Sequence, residues 1–339
     1  MEHRLLGRTG LRISPLCLGA MNFGDPTPEA DSIRIIHAAL DAGINIVDTA
    51  DMYGRGESER VVGRALAAGR RGRVVLATKA HFPMSEDPND RGNSRRHLLR
   101  AVEASLQRLG TDWIDLYQIH RPDLDVPQDE TLRALDDLVT SGKVRYVGCS
   151  TFPAWMVMEA IAISDRHGWA RYVTEQPPYH LLDRRIENEL VPFAHRHGLG
   201  LLTWSPLAMG MLAGRYDRTG APPEGSRVAR LRGVYEERVT DHALDAARRI
   251  AQVAEAHDLD PARLALTWVK NRPGVTAAII GPRTLAHLEL ALSIIDAQLP
   301  NDIEEQLDAI VPPGTAASDF LNNAGWRSAP RPPANSDPR

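Results

Sequence analysis

Short apolar runs alternate with longer amphipathic segments along the chain. Runs at 14–21, 44–48, 73–79, 113–120, 144–150, 171–176, 199–205 and 275–281 are brief, mostly apolar and rich in β-branched residues. That composition suits strands covered on both faces in a parallel sheet. Between them the apolar positions recur at helical spacing. "EADSIRIIHAALDAG" puts Ile33, Ile36, Ala39 and Leu40 on one face and stops at Gly43, a helix-end signal. "SERVVGRALAAGR" and "SRRHLLRAVEASLQRLG" repeat the pattern, with Ser94 placed to cap the second. "DETLRALDDLVTSGK", "PAWMVMEAIAISDRHG", "NELVPFAHRHG", "ARLALTWVKNRPG" and "TLAHLELALSIID" follow later strands. Eight strands, each followed by a helix, predict an α/β fold of the (β/α)8 TIM-barrel type, which takes about 250 residues before insertions. A doubly wound sheet fits less well. No strand is followed by GxGxxG, and "GRGESE" (54–59) has Glu59 where the third glycine belongs.

The remaining length reads as decoration. "HRLLGRTGLRIS" predicts a β-hairpin turning at "GRTG" ahead of the first barrel strand. Segments 81–94 and 214–240 are long, polar or Gly/Pro-rich loops that follow strands. They therefore belong at the C-terminal face of the barrel, where barrel enzymes keep their chemistry. A single barrel domain is expected over 1–312 and a tail over 313–339, with "SAPRPPANSDPR" at its end disordered on composition. Phe320, Leu321 and Trp326 in the tail either fold over the mouth or dock on the barrel wall.

Charge and composition narrow the function. A net charge of −4, from 40 basic and 44 acidic residues, gives no global field for nucleic acid or anionic membrane. No apolar run approaches the roughly 18 residues of a membrane span, and no secretory h-region follows the start. Cys17 and Cys149 are far apart, lack a CxxC pattern and sit in apolar strands, which predicts buried reduced thiols and a cytoplasmic location. "HRH" (195–197) is no metal site, because i and i+2 on a helix do not face each other. No long heptad specifies an oligomer.

Asp48 ends the second strand, Lys79 the third and His120 the fourth, and Tyr53 follows five residues after Asp48. Singly, each has a structural reading: turn residue, solvated strand end, hydrogen-bonded histidine, rim packing. Jointly they converge on one rim, since adjacent strands lie about 4.8 Å apart. The set makes sense for carbonyl reduction, which needs a hydride donor and an acid to protonate the forming alkoxide. A neighbouring Lys⁺ is expected to lower the tyrosine pKa by about 2 to 3 units from its usual value near 10. Asp48 supplies the counter-charge for a buried Lys79. His120 orients the carbonyl oxygen or shares in proton transfer. "GPRT" (281–284), between the last strand and the last helix, offers close backbone approach at Gly281, helix amides, and Arg283 as a bidentate phosphate partner.

"GINIVDTADMYGRGESERVVGRAL", "LATK", "DLYQIHRPD", "WSPLAMGMLAGRY" and "IIGPRT" together resemble the aldo-keto reductases, in order and at matching spacing over about residues 3 to 310. The resemblance implies a (β/α)8 barrel with a catalytic tetrad at Asp48, Tyr53, Lys79 and His120, Tyr53 acting as acid. It implies NADPH as hydride source, with the "GPRT" motif holding the adenosine 2′-phosphate. It places Trp204 against nicotinamide, and Ser205, Pro206, Leu207, Gly210 and Leu212 along the pyrophosphate with Arg215 nearby. Ser150 and Gln176 would hold the carboxamide, and Met21, Asp48 and His287 complete the cofactor contacts. Three positions depart from the family pattern: Thr151 where Asn is common, His287 where Gln is common, and Ala291 where Asn often meets adenine. They bear on NADP versus NAD selectivity.

The function expected is NADPH-dependent reduction of a small-molecule aldehyde or ketone. "LGAMNFGDPTPEADS" and "FLNNAGWRS" resemble the branch holding nucleotide-diphospho-sugar ketoreductases and general aldehyde reductases. "TWSPLA" resembles the potassium-channel β subunits, which would make the chain an NADP-binding regulatory partner. Arg55, Arg91 and Arg121 sit on or near rim loops, where they either meet an anionic substrate or, the simpler expectation, are solvated surface charges.

Overall fold

Eight parallel strands close into one barrel. In the computed structural model, which describes residues 1–216 and 222–327, a two-stranded hairpin comes first: β1 (Arg4–Leu5) and β2 (Arg12–Ile13). The barrel follows as β3 (Leu16–Gly19), β4 (Ile46–Asp48), β5 (Val75–Ala80), β6 (Ile114–Ile119) and β7 (Val144–Ser150), then β8 (Tyr172–Gln176), β9 (Gly200–Thr203) and β10 (Val275–Ile280). Each strand pairs with its sequence neighbour, and β10 closes the ring on β3. This is the (β/α)8 architecture that the alternation of patterns predicts. The distal tail expected to be disordered lies outside the described residues, as do 217–221 of the long segment after β9.

Every barrel strand except β7 is shorter than expected, two of them for clear local reasons. Ile44 does not join β4 because its N–H closes the preceding helix on Ala39 O at 3.0 Å. β9 stops at Thr203 because its neighbour continues into Pro177 and Pro178, which have no N–H to donate. Trp204 keeps a single bridge with Pro178, and its N–H bonds Pro177 O at 2.9 Å.

The helices between strands use the signals in the sequence. Arg95–Leu109 is capped by Ser94, whose side chain accepts from His97 N. Among the described residues, two helices of at least 10 residues lie beyond those anticipated, Asp241–Ala256 and Asn301–Ile310. The first starts where the Thr240 side chain accepts from Ala243 N at 3.1 Å.

Apolar residues form two layers. One lies between strands and helices, and the second fills the barrel interior with Cys17, Ile46, Ala77, Leu116, Leu202 and Ala277. Leu6 and Ile13 of the hairpin belong to the interior layer, so the hairpin plugs the N-terminal end of the barrel. The fit is tight at Gly7, where φ is +56° and an added Cβ would lie 2.6 Å from Gly198 O and Val173 O. Cys17 and Cys149 are buried, unpaired thiols. With one end plugged and the interior filled, the chemistry is left to the C-terminal rim. No helix among the described residues is long and apolar enough to cross a membrane.

Candidate active site at the C-terminal rim

Parallel register sets out the polar residues at the rim. Lys79 on β5 pairs with Gln118 on β6, and Ser150 on β7 with Gln176 on β8. Asp48 closes β4, and the pairing continues past it: Thr49 N bonds Ala77 O at 2.9 Å and Asp51 N bonds Lys79 O at 3.0 Å. These bonds fix the start of the loop that carries Tyr53.

Lys79 is fully buried and donates to Asp48 Oδ1 at 2.5 Å and to Thr49 O at 2.7 Å. The second carboxylate oxygen of Asp48 accepts from Gln118 Nε2 at 3.1 Å and from Gln176 Nε2 at 2.9 Å. A buried carboxylate thus meets one ammonium and two amides, which compensates its desolvation. Burial works to lower the Lys79 pKa, but Asp48 and Tyr53 outweigh it, and the group lies above the ordinary lysine value and stays charged.

The Lys79 ammonium stands 5.1 Å from the centroid of the Tyr53 ring and acts on its hydroxyl as a charge and a hydrogen-bond partner. The Tyr53 and His120 rings meet edge to face, with centroids 5.7 Å apart. The four residues singled out at the strand ends therefore share one site. The expected depression of the tyrosine pKa is not found. Burial raises it above 10.0, although Lys79 and Arg121 pull it down, because Asp48 offsets part of the lysine's charge. His120 is held well below its ordinary value by burial, then by Lys79, Arg121 and His81. It is a neutral imidazole, and its buried Nδ1 has no partner among the described residues.

Arg121 overturns the expectation of a solvated surface charge. It is 9% exposed and sits between aromatic rings, 5.8 Å from the centroid of Phe82 and 6.0 Å from that of Trp204. Its Nη1 donates to His120 O at 2.6 Å. Asn93 in the 81–94 loop donates to Arg121 O at 2.9 Å, so the loops after β5 and β6 are stapled together at this residue. Arg55 and Arg91 are exposed, as expected.

The cofactor candidates form three groups. Ser150 Oγ donates to Gln176 O at 2.9 Å, and Gln176 donates to Asp48, so the donors of both residues are spent within the rim. Next to them Thr151 has φ +61°, a left-handed backbone costly for a β-branched residue and easier for Asn. The second group is the loop after β9. Ser205, Ala208, Met209, Gly210 and Gly214 all have positive φ, which folds the backbone into tight turns beside Trp204. Leu207 and Gly210 are half-buried, while Pro206 is buried and Leu212 packs in the core at 1% exposure. Met21 is half-buried in the turn after β3.

The third group surrounds the start of the helix Leu285–Leu292. Arg215 Nη2 and His287 Nε2 lie 2.7 Å apart, and Arg283 N donates to His287 Nδ1 at 3.4 Å. Thr284 caps the helix by accepting from His287 N. Arg283 Nη1 is held by Gly225 O at 2.9 Å, and Gly281 O accepts from Asn22. Burial, then Arg215 and Arg283, lower the His287 pKa. Two guanidiniums, an imidazole and a helix N-terminus form a donor set suited to a phosphate. Ala291 is buried at 2% exposure.

A tail segment completes the rim. Phe320 is fully buried, 5.9 Å from the Trp204 ring, and Trp326 Nε1 donates to Thr151 O at 3.0 Å. Arg238 ties this segment to the loop after β9 through Asn322 Oδ1, Asn323 Oδ1 and Phe320 O. Two acids near the site went unnoticed in the sequence. Burial, then Glu59, push Asp51 up to about 8, and burial pushes Glu175 up to about 8. Among the described residues no group of three or more His, Cys, Asp or Glu side chains is placed to hold a metal.

The sequence model of the aldo/keto reductase family matches residues 15–312, which is the whole barrel. "Uncharacterized oxidoreductase YrpG" of Bacillus subtilis (strain 168) is 42% identical over 323 residues, covering 92% of this chain and 96% of that protein. "Probable voltage-gated potassium channel subunit beta" of Oryza sativa subsp. japonica is 33% identical over 320 residues, 92% of this chain and 97% of that protein. "Versiconal hemiacetal acetate reductase" of Aspergillus parasiticus is 34% identical over 338 residues, 92% of this chain and 98% of that protein. A closed barrel, a polar rim built at its strand ends and matches of this extent agree: the chain belongs to the aldo/keto reductase family of oxidoreductases.

Proposed function

We propose that the protein is an NADPH-dependent reductase of aldehyde or ketone carbonyls. The observation that carries this reading is the buried Asp48–Lys79 pair directed at the Tyr53 hydroxyl, with neutral His120 alongside. A phenol kept protonated by burial is an acid in reserve, and the adjacent ammonium stabilises the phenolate left when its proton goes to the carbonyl oxygen. His120, uncharged at neutral pH, donates a hydrogen bond that orients that oxygen rather than supplying the proton. Asp48 keeps Lys79 charged, and Gln118 and Gln176 hold the second carboxylate oxygen of Asp48 in place.

The bound dinucleotide would supply the hydride. Arg215, Arg283 and His287 would hold an adenosine phosphate, which favours NADP over NAD, and the turns from Ser205 to Leu212 would follow the pyrophosphate. Trp204 would pack against the nicotinamide, with Met21 and Asp48 lining that end of the site. Ser150 and Gln176 have spent their donors, so they would meet the carboxamide through their oxygens. Buried, unpaired thiols support a cytoplasmic setting.

The test is NADPH oxidation over a broad panel of aldehydes and ketones with wild type and Tyr53→Phe. Loss of about 10²–10⁴ in kcat, with NADPH binding by fluorescence unchanged, is expected for removal of the acid. Absence of any Tyr53-dependent turnover would sink the reading. Similarity to the rice protein named as a channel β subunit supports a second one, a cofactor-binding regulatory partner. Slow turnover with tightly retained cofactor and a co-purifying partner would favour it. A ketoreductase acting on nucleotide-diphospho sugars is a narrower form of the first reading, and the same panel with sugar nucleotides tests it.

A further inference from the structure

Arginines withdrawn from solvent at two other places in this protein are matched to carboxylates. Arg184, fully buried, pairs with Glu187 at 2.9 Å and Asp308 at 2.6 Å, and Arg108 pairs with Glu59 at 2.6 Å. Arg121 differs. Among the described residues no carboxylate lies within ion-pair distance of it, and its buried Nε has no hydrogen-bond partner. Among the described residues its side chain donates to a neutral acceptor, His120 O. Glu175 is near enough to act on it by charge, but burial keeps that carboxyl largely protonated at neutral pH. A guanidinium cannot discharge itself by losing a proton, so a desolvated cation is left without a counter-ion. The residues around it are Phe82, Trp204, His120 and Tyr53, which are the walls of the rim where a carbonyl would react.

We infer that Arg121 is a substrate-binding residue, and that the natural substrate is a carbonyl compound carrying an anionic group, a carboxylate or a phosphoryl, which pairs with this guanidinium. The inference rests on the carbonyl-reductase reading and specifies its substrate class. The planar guanidinium suits either anion, since both accept its N–H fork in bidentate fashion. Aromatic walls on either side exclude water and strengthen the pairing. The site is thus built for a short molecule, with one end anchored as an anion and the other end presented to Tyr53.

The experiment compares matched substrates. Succinic semialdehyde is measured against butanal for the carboxylate, and glyceraldehyde 3-phosphate against glyceraldehyde for the phosphoryl group. In wild type the charged member of at least one pair should have kcat/KM higher by about ten- to a hundred-fold, carried mainly by KM, as one charge-assisted hydrogen bond supplies. Arg121→Met should abolish that ratio and Arg121→Lys should keep part of it. Arg121 also acts on Tyr53 by charge, but a change felt through Tyr53 alters both members of a pair equally, so the ratio isolates anion binding. Equal kcat/KM for charged and neutral members in wild type overturns the proposal, and so does a preference that survives in Arg121→Met. Calorimetric binding of succinate and of inorganic phosphate to wild type and both variants stands apart from turnover. Binding lost in Arg121→Met supports the site even if no carbonyl is reduced, in which case only the reductase reading falls. No binding of either anion to wild type counts against the site itself.

Discussion

Replacing Asp48 by Asn tests the electrostatic design of the rim. The variant keeps the shape of the side chain but removes the charge that faces Lys79 at 2.5 Å, leaving a fully buried ammonium with only a neutral partner and Thr49 O. Removing one member of a buried pair costs about 3–5 kcal/mol. At roughly 2 °C per kcal/mol for a chain this long, the melting temperature should fall by about 6–10 °C. Lys79 has a pKa raised in the folded state, so the stability its pairing confers is present below 10.5 and lost as pH rises through the folded value. The gap between wild type and variant should therefore stay flat from pH 6 to 9. Adding Lys79→Met removes the stranded cation, and the double variant should be more stable than Asp48→Asn alone by about 1–3 kcal/mol. Turnover, which needs the ammonium beside Tyr53, should not return. Urea denaturation of the four proteins closes the cycle, with NADPH oxidation measured in parallel. Additive stabilities, or activity within tenfold of wild type in Asp48→Asn, would refute the reasoning.

Asp51, raised to about 8, binds a proton in the folded state that the unfolded chain releases near 3.8. Its burial therefore lowers stability as pH rises from about 4 to 8, and Asp51→Asn should flatten that decline by roughly 1–3 kcal/mol between pH 5 and 8 in denaturant titrations. Arg283→Ala should weaken NADPH binding by about ten- to a hundred-fold and leave NADH nearly unchanged in fluorescence titrations. Gly7→Ala forces a Cβ against Gly198 O and Val173 O at positive φ, and should destabilise the barrel by about 1–3 kcal/mol with little change in KM.

Much of the barrel was legible because a parallel strand covered on both faces leaves a continuous apolar run, and each run was followed by a capped amphipathic helix. Asp48, Lys79 and His120 stood out because each interrupts such a run at the strand end. Gln118 was missed although it precedes His120 by two residues, the strand period that puts both toward the same side. Arg121 was misjudged because burial of an arginine depends on what loops fold over it, here Phe82 and the Asn93 staple from another segment. The Tyr53 pKa was misjudged for the same reason: a charge partner can be read from sequence, whereas desolvation depends on the assembled rim. The helix Asp241–Ala256 went unread behind a Gly- and Pro-rich stretch, though Thr240 marked its start. Thr151 could be seen as unusual, but its left-handed backbone could not.

Phe320 and Trp326 come after every barrel strand, yet they cover Trp204 and hold Thr151. A chain leaving the ribosome completes its barrel strands before it has a finished mouth, and a chain ending near residue 312 would have a rim that lacks one wall. That wall comes last in the sequence, yet Ala317 and Phe320 set it into the outer core. Substitutions in the last dozen described residues can reshape what enters the mouth without touching a single strand of the sheet.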